Sequence, residues 1–492
     1  MGIDESRGKF YEVAAREGTP NWNKLSIRES KLSDKPDDVR TPFVRDYTRV
    51  LHCLAFRRLK SKTQVFYSGG GNDHICTRIE HVMHVESVSS GIAKTLGLNE
   101  ELTRSIAIAH DLGHSPFGHR GETVLNDLLA TSLNQMINDE NSGLTEDKLK
   151  KEYGVDKSQL EAFVNNKSDR SKAIKVFWHE KNGLRLVDNI EFLENSKGKF
   201  NNLDLTYATR DGIVCHCGEV DDNALFPRTE LGDLSEIVRP AQVNAATWEG
   251  VVVKVSDKIA YLGRDIEDAI RLGYLDGHDL KALKDLAKQT KIGDEERIKR
   301  INTTSIMGKM IDSITRNSSP EKGICFSPEA YETIKRIKDF NYEYIYRNPK
   351  FESGNKYCTL VIQELYNFLA SNFETSGVDT LRKLVSENYY GMGFVKEFVN
   401  FSVKHSNKSV IALIEEDKNL KLQKNTSSLT ESDMLQIIAI DKFREMFNST
   451  QGAKKVYGDF INKLTYIQSV TDFIAGMTDE YAIKSFNEIV MM

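Results

Sequence analysis

No apolar run in this chain of 492 residues approaches the roughly 18 residues that a membrane-crossing helix needs. The opening stretch, MGIDESRGKFYEVAAREG, is charged and lacks the apolar core of a secretory signal. Cysteine is scarce. Six in so long a chain do not make a disulfide framework, and a reducing, cytoplasmic setting is expected. Cys215 and Cys217 flank His216, but no second Cys pair stands at zinc-finger spacing, so a structural zinc is not expected. An excess of positive charge is also missing: 67 Lys and Arg face 72 Asp and Glu, for a net charge of −5. That balance describes an ordinary acidic soluble protein and gives no global signal for nucleic acid. Gly69-Gly70-Gly71 lacks the Lys-Ser/Thr of a phosphate-binding P-loop. Fixed-period repeats and low-complexity tracts are absent as well.

What the chain does have is histidine in one place. Six of its eleven histidines lie between His74 and His119. Ile79, Val82, Ser89, Ile92 and Leu96 recur at helical intervals, which predicts an amphipathic helix over 78–96, stopped by Gly97. Asn99 is the expected N-cap of a second helix, 100–112. Leu102, Ile106, Ala107, Ile108 and Ala109 make that helix apolar nearly all round, so it should be buried. Its last turn delivers His110 and Asp111 into the interior, before Gly113, Pro116 and Gly118 break it. A buried carboxylate costs several kcal/mol unless it is paired or binds a metal. The ordinary reading is a salt-bridged aspartate beside a core histidine. His81 upstream, with His114, His119 and Glu122 downstream, favours a site instead.

A second signal lies at 248–272. Trp248, Val252, Val255, Ile259, Leu262 and Ile266 form a core-facing stripe. On another face Asp257, Tyr261 and Asp265 step by one turn each, with Asp268 close by. Such a row is commonly solvated, but Val251, Val253 and Ala260 surround it, so an internal cleft is expected. Asp257 would then complete a site of two histidines and two aspartates. Two imidazoles and two carboxylates suit a divalent ion such as Mn, Fe or Mg, with Zn also admissible.

Elsewhere, residues 1–39 read as a polar arm and 139–172 as a surface insertion. Val44 to Lys62 has helical spacing and carries Arg57, Arg58, Lys60 and Lys62, a solvated face or a triphosphate contact. Gln64 to Tyr67 is strand-like. Phe177 to Glu180 opens a helical stretch, while 203–219 mixes turn and helix signals. Beyond about 276 the chain is amphipathic helix with polar breaks near 317–323, 348–356 and 424–431. The expected division is an arm (1–39), a catalytic core (40–275) and a helical C-terminal region (276–492).

These segments resemble the deoxyguanosinetriphosphate triphosphohydrolase family, a branch of the HD-domain phosphohydrolases. The resemblance runs through RTPFVRDYTRVLHCLAFRRLKSKTQVF (40–66), RIEHVMHV, AHDLGHSPFGHRGE, VSDKIAYLGRDIEDAI (255–270) and VTDFIAGMTDEYA (470–482), in that order. It implies an all-α HD-domain fold with at most a minor β-hairpin. It implies metal ligands at His81, His110, Asp111 and Asp257, a catalytic histidine at His119 and its carboxylate partner at Glu122. Arg78 and His114 match phosphate-contacting positions, as does Lys258 in a related vertebrate dNTP hydrolase. Gln64, Tyr261 and Asp265 match deoxyribose-holding positions, and His179-Glu180 a less constant pair. The chain departs at Cys215, near which many relatives carry Lys. The implied activity is hydrolysis of dGTP or other dNTPs to deoxynucleoside and triphosphate. The implied assembly is a homo-oligomer, hexamer or tetramer, with a dNTP or single-stranded DNA as candidate effector and no membrane association. The competing readings are another HD-domain chemistry, on cyclic nucleotides or alarmones, and a non-enzymatic nucleotide or single-stranded nucleic-acid binder.

Overall fold

The computed structural model describes residues 7–30, 38–65, 67, 75–166, 174–195, 197–217, 222–290, 303–386, 392–412, 414 and 443–491. The Gly69–Gly71 loop and the polar break near 424–431 lie outside them. The fold is all-α. Among the described residues the only paired strands are β1 (Phe192–Glu194) and β2 (Phe200–Asn202), an antiparallel hairpin. The helices that carry or support the candidate residues of each unit are, in chain order, α1 (Pro42–His52), α2 (Arg78–Leu96), α3 (Glu100–Ala109), α4 (Gly118–Met136), α5 (His179–Arg185), α6 (Tyr207–Cys215), α7 (Trp248–Arg271), α8 (Lys463–Ala475) and α9 (Asp479–Val490). None of the described helices is long and apolar enough to cross a membrane.

Helix limits follow local chemistry. The Thr77 backbone N–H donates to Glu80 Oε2 at 2.7 Å, a capping box that opens α2. Gly97 closes it at φ 79°, a conformation that suits glycine. A side chain there would also meet the Arg7 carbonyl. The Asn99 side chain accepts from the N–H groups of Glu101 and Leu102, as an N-cap should. The helix it opens ends at Ala109, three residues short of the expected limit. The 44–62 stretch is not one helix either: Cys53 is extended and its Sγ caps a short helix, Leu54–Arg58.

The chain forms two compact units, interleaved in sequence, whereas the sequence divisions at 39 and 275 are consecutive. Unit 1 comprises 1–112, 179–184 and 204–357; unit 2 comprises 113–178, 185–203 and 358–492. In unit 1, α2, α3 and α7 pack on one another, with α1 and α6 against α3. Its core runs through Ile92, Val252, Ile259, Leu262, Ile266, Ile306 and Ile314. The stretch read as a polar arm joins this core: Phe10 is fully buried and meets Trp248 edge-on at 4.9 Å. In unit 2, α4 packs on α8, beside an aromatic core in which Phe398 and Phe473 lie 5.4 Å apart. Among its described residues the expected insertion at 139–172 contains the α-helices Glu146–Tyr153 and Lys157–Asn165, which bury Leu149, Tyr153 and Leu160.

Candidate metal centre and phosphohydrolase residues

Unit 1 brings together four of the expected residues. His81 comes from α2, His110 and Asp111 from the turn that ends α3, and Asp257 from the middle of α7. His81 Nε2 lies 2.9 Å from Asp257 Oδ1 and 3.8 Å from Asp111 Oδ2. His110 Nε2 lies 3.6 Å from Asp111 Oδ1 and 3.9 Å from Asp257 Oδ1. His110 Nδ1 sits 2.6 Å from the Ala107 carbonyl. A carbonyl only accepts, so Nδ1 carries the proton and Nε2 presents a lone pair. That Nε2 is buried and has no hydrogen-bond partner. A buried, unsatisfied imidazole nitrogen facing two carboxylates has the chemistry of a metal ligand.

The electrostatics agree. Burial opposes charge on His81, but its hydrogen bond to Asp257 and the charges of Asp257 and Asp111 outweigh that and raise its pKa. Burial would raise the Asp257 pKa too, yet the His81 hydrogen bond and the nearby imidazoles hold it well below the usual range. Both shifts have one cause: the cluster favours positive charge beside its carboxylates. The donor set therefore fits a divalent cation.

The other expected positions in unit 1 fall into distinct situations. Arg78 is buried and committed: Nη1 donates to Asp111 Oδ2 at 2.7 Å and Nη2 to the Gln64 carbonyl at 2.9 Å. It fixes the Asp111 carboxylate directly. Gln64 is buried with Oε1 lacking a hydrogen-bond partner, an acceptor available to a hydroxyl. Asp265 is buried and accepts from the Tyr346 hydroxyl. Burial pushes its pKa up to about 7, against the lowering effect of that hydrogen bond. Tyr261 is half-buried against the unit 1 core, and Lys258 is also half-buried. Asp268 is buried and accepts from the Cys76 N–H at 3.1 Å, so the polar row of α7 is not a solvated face. Cys215 is buried, with Sγ 3.5 Å from Arg228 Nη1. Arg228 in turn pairs with Asp211, so a cation does stand beside the cysteine. All six cysteines are free, as expected.

Unit 2 holds His114, His119 and Glu122, whose potential ligand atoms lie within 4.8 Å of one another. His114 is buried and His119 exposed, their rings 5.2 Å apart. The loop between them is tightly made. Phe117 adopts φ 62°, and its N–H is held by Asp479 Oδ1 at 2.9 Å. A Cβ at Gly121 would lie 1.9 Å from the Pro116 carbonyl oxygen, so only glycine fits. Glu122 forms an ion pair with Lys175 at 2.8 Å. Asn126 sets the segment carrying that lysine, its Oδ1 accepting from the N–H groups of Val176 and Phe177.

The sequence reading did not single out Lys175, Tyr346, Arg228 or Asp479 by role. It weighed His216 only as a zinc-finger ligand. The polar row on α7 and Lys254 in the apolar run of that helix, buried and donating to Asn244 Oδ1 at 3.1 Å, were the available signals of further polar chemistry.

The HD domain family model matches residues 78–262. A deoxyguanosinetriphosphate triphosphohydrolase-like protein of Caldanaerobacter subterraneus is 34% identical over 337 residues, covering 68% of this chain and 74% of its own length. Proteins of the same description from Desulfatibacillum aliphaticivorans and Geobacter metallireducens are each 31% identical, covering 73% and 74% of this chain and 80% of their own lengths.

Proposed function

We propose a function from one established premise: the chain belongs to the family of deoxyguanosinetriphosphate triphosphohydrolase-like proteins, and is thus an HD-domain phosphohydrolase. The finer reading is a metal-dependent hydrolase that converts dGTP, and other dNTPs with it, to deoxynucleoside and inorganic triphosphate. The observation that carries it is the His81, His110, Asp111 and Asp257 cluster, with His110 Nε2 buried and unsatisfied. These four residues would hold the ion, with Mn, Fe or Mg as the candidates and Zn admissible. Such an ion supplies an acidified water and offsets phosphoryl charge.

The chain's own groups account for the rest. Attack by water oxygen at the α-phosphorus breaks the bond to the 5′-oxygen, which must gain a proton as it leaves. His119, one helical turn before Glu122, donates it, and Glu122 holds the imidazole in its protonated form. Arg78 orients Asp111, while Arg78, His114 and Lys258 offset the triphosphate charge. Gln64 and Asp265 hold the 3′-hydroxyl, and Tyr261 packs on the sugar. The reading extends to a cytoplasmic homo-oligomer, hexamer or tetramer, with a dNTP or single-stranded DNA as effector. Its test is product analysis with each dNTP singly and in mixtures, with and without divalent metal. Release of triphosphate is expected, and orthophosphate or pyrophosphate as first product would refute it.

A further inference from the structure

Lys175 stands beside His119 and Glu122 in unit 2, and the proposed reaction gives it no part. Its Nζ lies 2.8 Å from Glu122 Oε1. The ordinary account is a surface ion pair, since the Lys175 side chain is 38% exposed, and such pairs contribute little. Two features speak against it. The Glu122 side chain is only 7% exposed, so its carboxylate has lost most of its water and needs a partner. The lysine is also placed by its backbone rather than by its own reach. Asn126, buried and one helical turn after Glu122 on α4, donates through Nδ2 to the Ile174 carbonyl at 3.1 Å. Its Oδ1 accepts from the N–H groups of Val176 and Phe177 at 2.8 and 3.2 Å. Those three bonds grip the chain on both sides of residue 175. Helix α4 therefore fixes both ends of the pair: Glu122 supplies the carboxylate, and Asn126 holds the segment that brings the ammonium to it.

The pair also bears on what the neighbouring histidines can do. The potential ligand atoms of His114, His119 and Glu122 lie within 4.8 Å of one another, close enough for a metal ion. An ammonium 2.8 Å from the carboxylate already takes a cation's place there, and a divalent ion beside it would meet like charge. That favours proton chemistry for the exposed His119. A carboxylate that orients an imidazole must itself be oriented, as where a third group fixes a catalytic pair.

We infer that Lys175 is a positioning residue for the proposed proton transfer: by pairing with Glu122 Oε1 it fixes that carboxylate toward the His119 imidazole. The inference rests on His119 as the proton donor and deepens that reading. His119 gives its proton to the departing 5′-oxygen, while Lys175 keeps its own and acts only through Glu122.

Steady-state kinetics of the full, metal-loaded chain on dGTP, read as triphosphate release, test this. Lys175→Met keeps an apolar stem and removes the charge, and Asn126 still holds the segment. Lys175→Gln repeats the measurement with a polar, uncharged side chain should Lys175→Met fail to fold. The expected result is a kcat loss of about tenfold or more, the share of one charge-assisted hydrogen bond, with KM and metal content kept. Lys175→Arg should recover most of that loss. In a Glu122→Gln background, Lys175→Met should cost nothing further, because both act through one carboxylate. Unchanged kcat in Lys175→Met, with His119→Ala slow, would overturn the inference and leave His119 as the donor. Normal kcat in His119→Ala, or no triphosphate release from the wild type, would overturn both. A raised KM with kcat kept, or an undiminished further loss in the Glu122→Gln background, would mean that the ammonium meets the triphosphate itself and would overturn the positioning role. Lys175→Arg as slow as Lys175→Met would overturn it too.

Discussion

Asp265 shows how one buried residue ties stability to pH. Its pKa rises to about 7 because burial penalises the carboxylate, against the opposing Tyr346 hydrogen bond. An unfolded aspartate titrates near 3.9. Between about pH 4 and 7 the folded chain therefore keeps a proton that the unfolded chain has released. Stability falls as pH rises through that window, by up to about 4 kcal/mol. Asp265→Asn keeps an acceptor for Tyr346 and removes the titration. Its melting temperature should vary less between pH 5 and 8 than the wild type's and exceed it at pH 8. Parallel melting curves against pH would show that Asp265 is not the titrating group. His119 makes a contrasting case, because it is exposed and its proposed role is proton transfer. General acid catalysis contributes on the order of 10²–10⁴ in rate, so His119→Ala should lose kcat on that scale while keeping metal content. Glu122→Gln should lose less. Metal loss in His119→Ala would count against the role.

At the scale of elements, α7 carries most of what was legible. Its apolar stripe is the core side of a helix whose other face presents Asp257, Tyr261 and Asp265 at successive turns. Periodicity, the Asn99 cap and the Gly97 stop are local properties, so α2, the start of α3 and α7 could be read without a structure. Tyr261 tests the proposal for this face. A pocket that merely fits the deoxy sugar rejects an added hydroxyl by only about 10². If the Tyr261 ring enforces a larger gap, Tyr261→Ala should narrow the ratio of dGTP to GTP kcat/KM, while Asp265→Ala weakens both substrates. An unchanged ratio in folded, metal-loaded protein would make Tyr261 a core residue only. What could not be read is pairing across sequence. Asp472 grips Arg185 through three contacts of 2.7–3.0 Å. Asp479 holds the Phe117 N–H, 362 residues away. Both aspartates belong to the C-terminal segment 470–482, whose resemblance was evident while its physical role was not. Helical spacing says which face is apolar, but not which distant carboxylate will meet a strained loop.

Each of the two units holds its own set of candidate residues, with its own means of stabilising their charge. In unit 1 Arg78 pairs with Asp111, but Asp257 meets the imidazoles of His81 and His110, which carry positive charge only when protonated. In unit 2 Glu122 already has Lys175 as counter-ion. Removing the metal should therefore affect the units unequally. An ion that binds only the folded state stabilises it by about 2.7 kcal/mol at one hundred times its dissociation constant. Chelation should remove that contribution from the helices that supply the ligands. The measurement is hydrogen exchange of the full chain with Mn²⁺ and with a chelator. Exchange should quicken in α2, the end of α3 and the central turns of α7, and change little in α4, α8 and α9. Opening free energies differ between cooperative segments of one protein, so this contrast is measurable even in a chain that melts in one step. Equal quickening in both units would mean that the ion stabilises the molecule as a single cooperative body. No change anywhere would mean that the ion pair of His81 and Asp257 stabilises the cluster as well as a metal does.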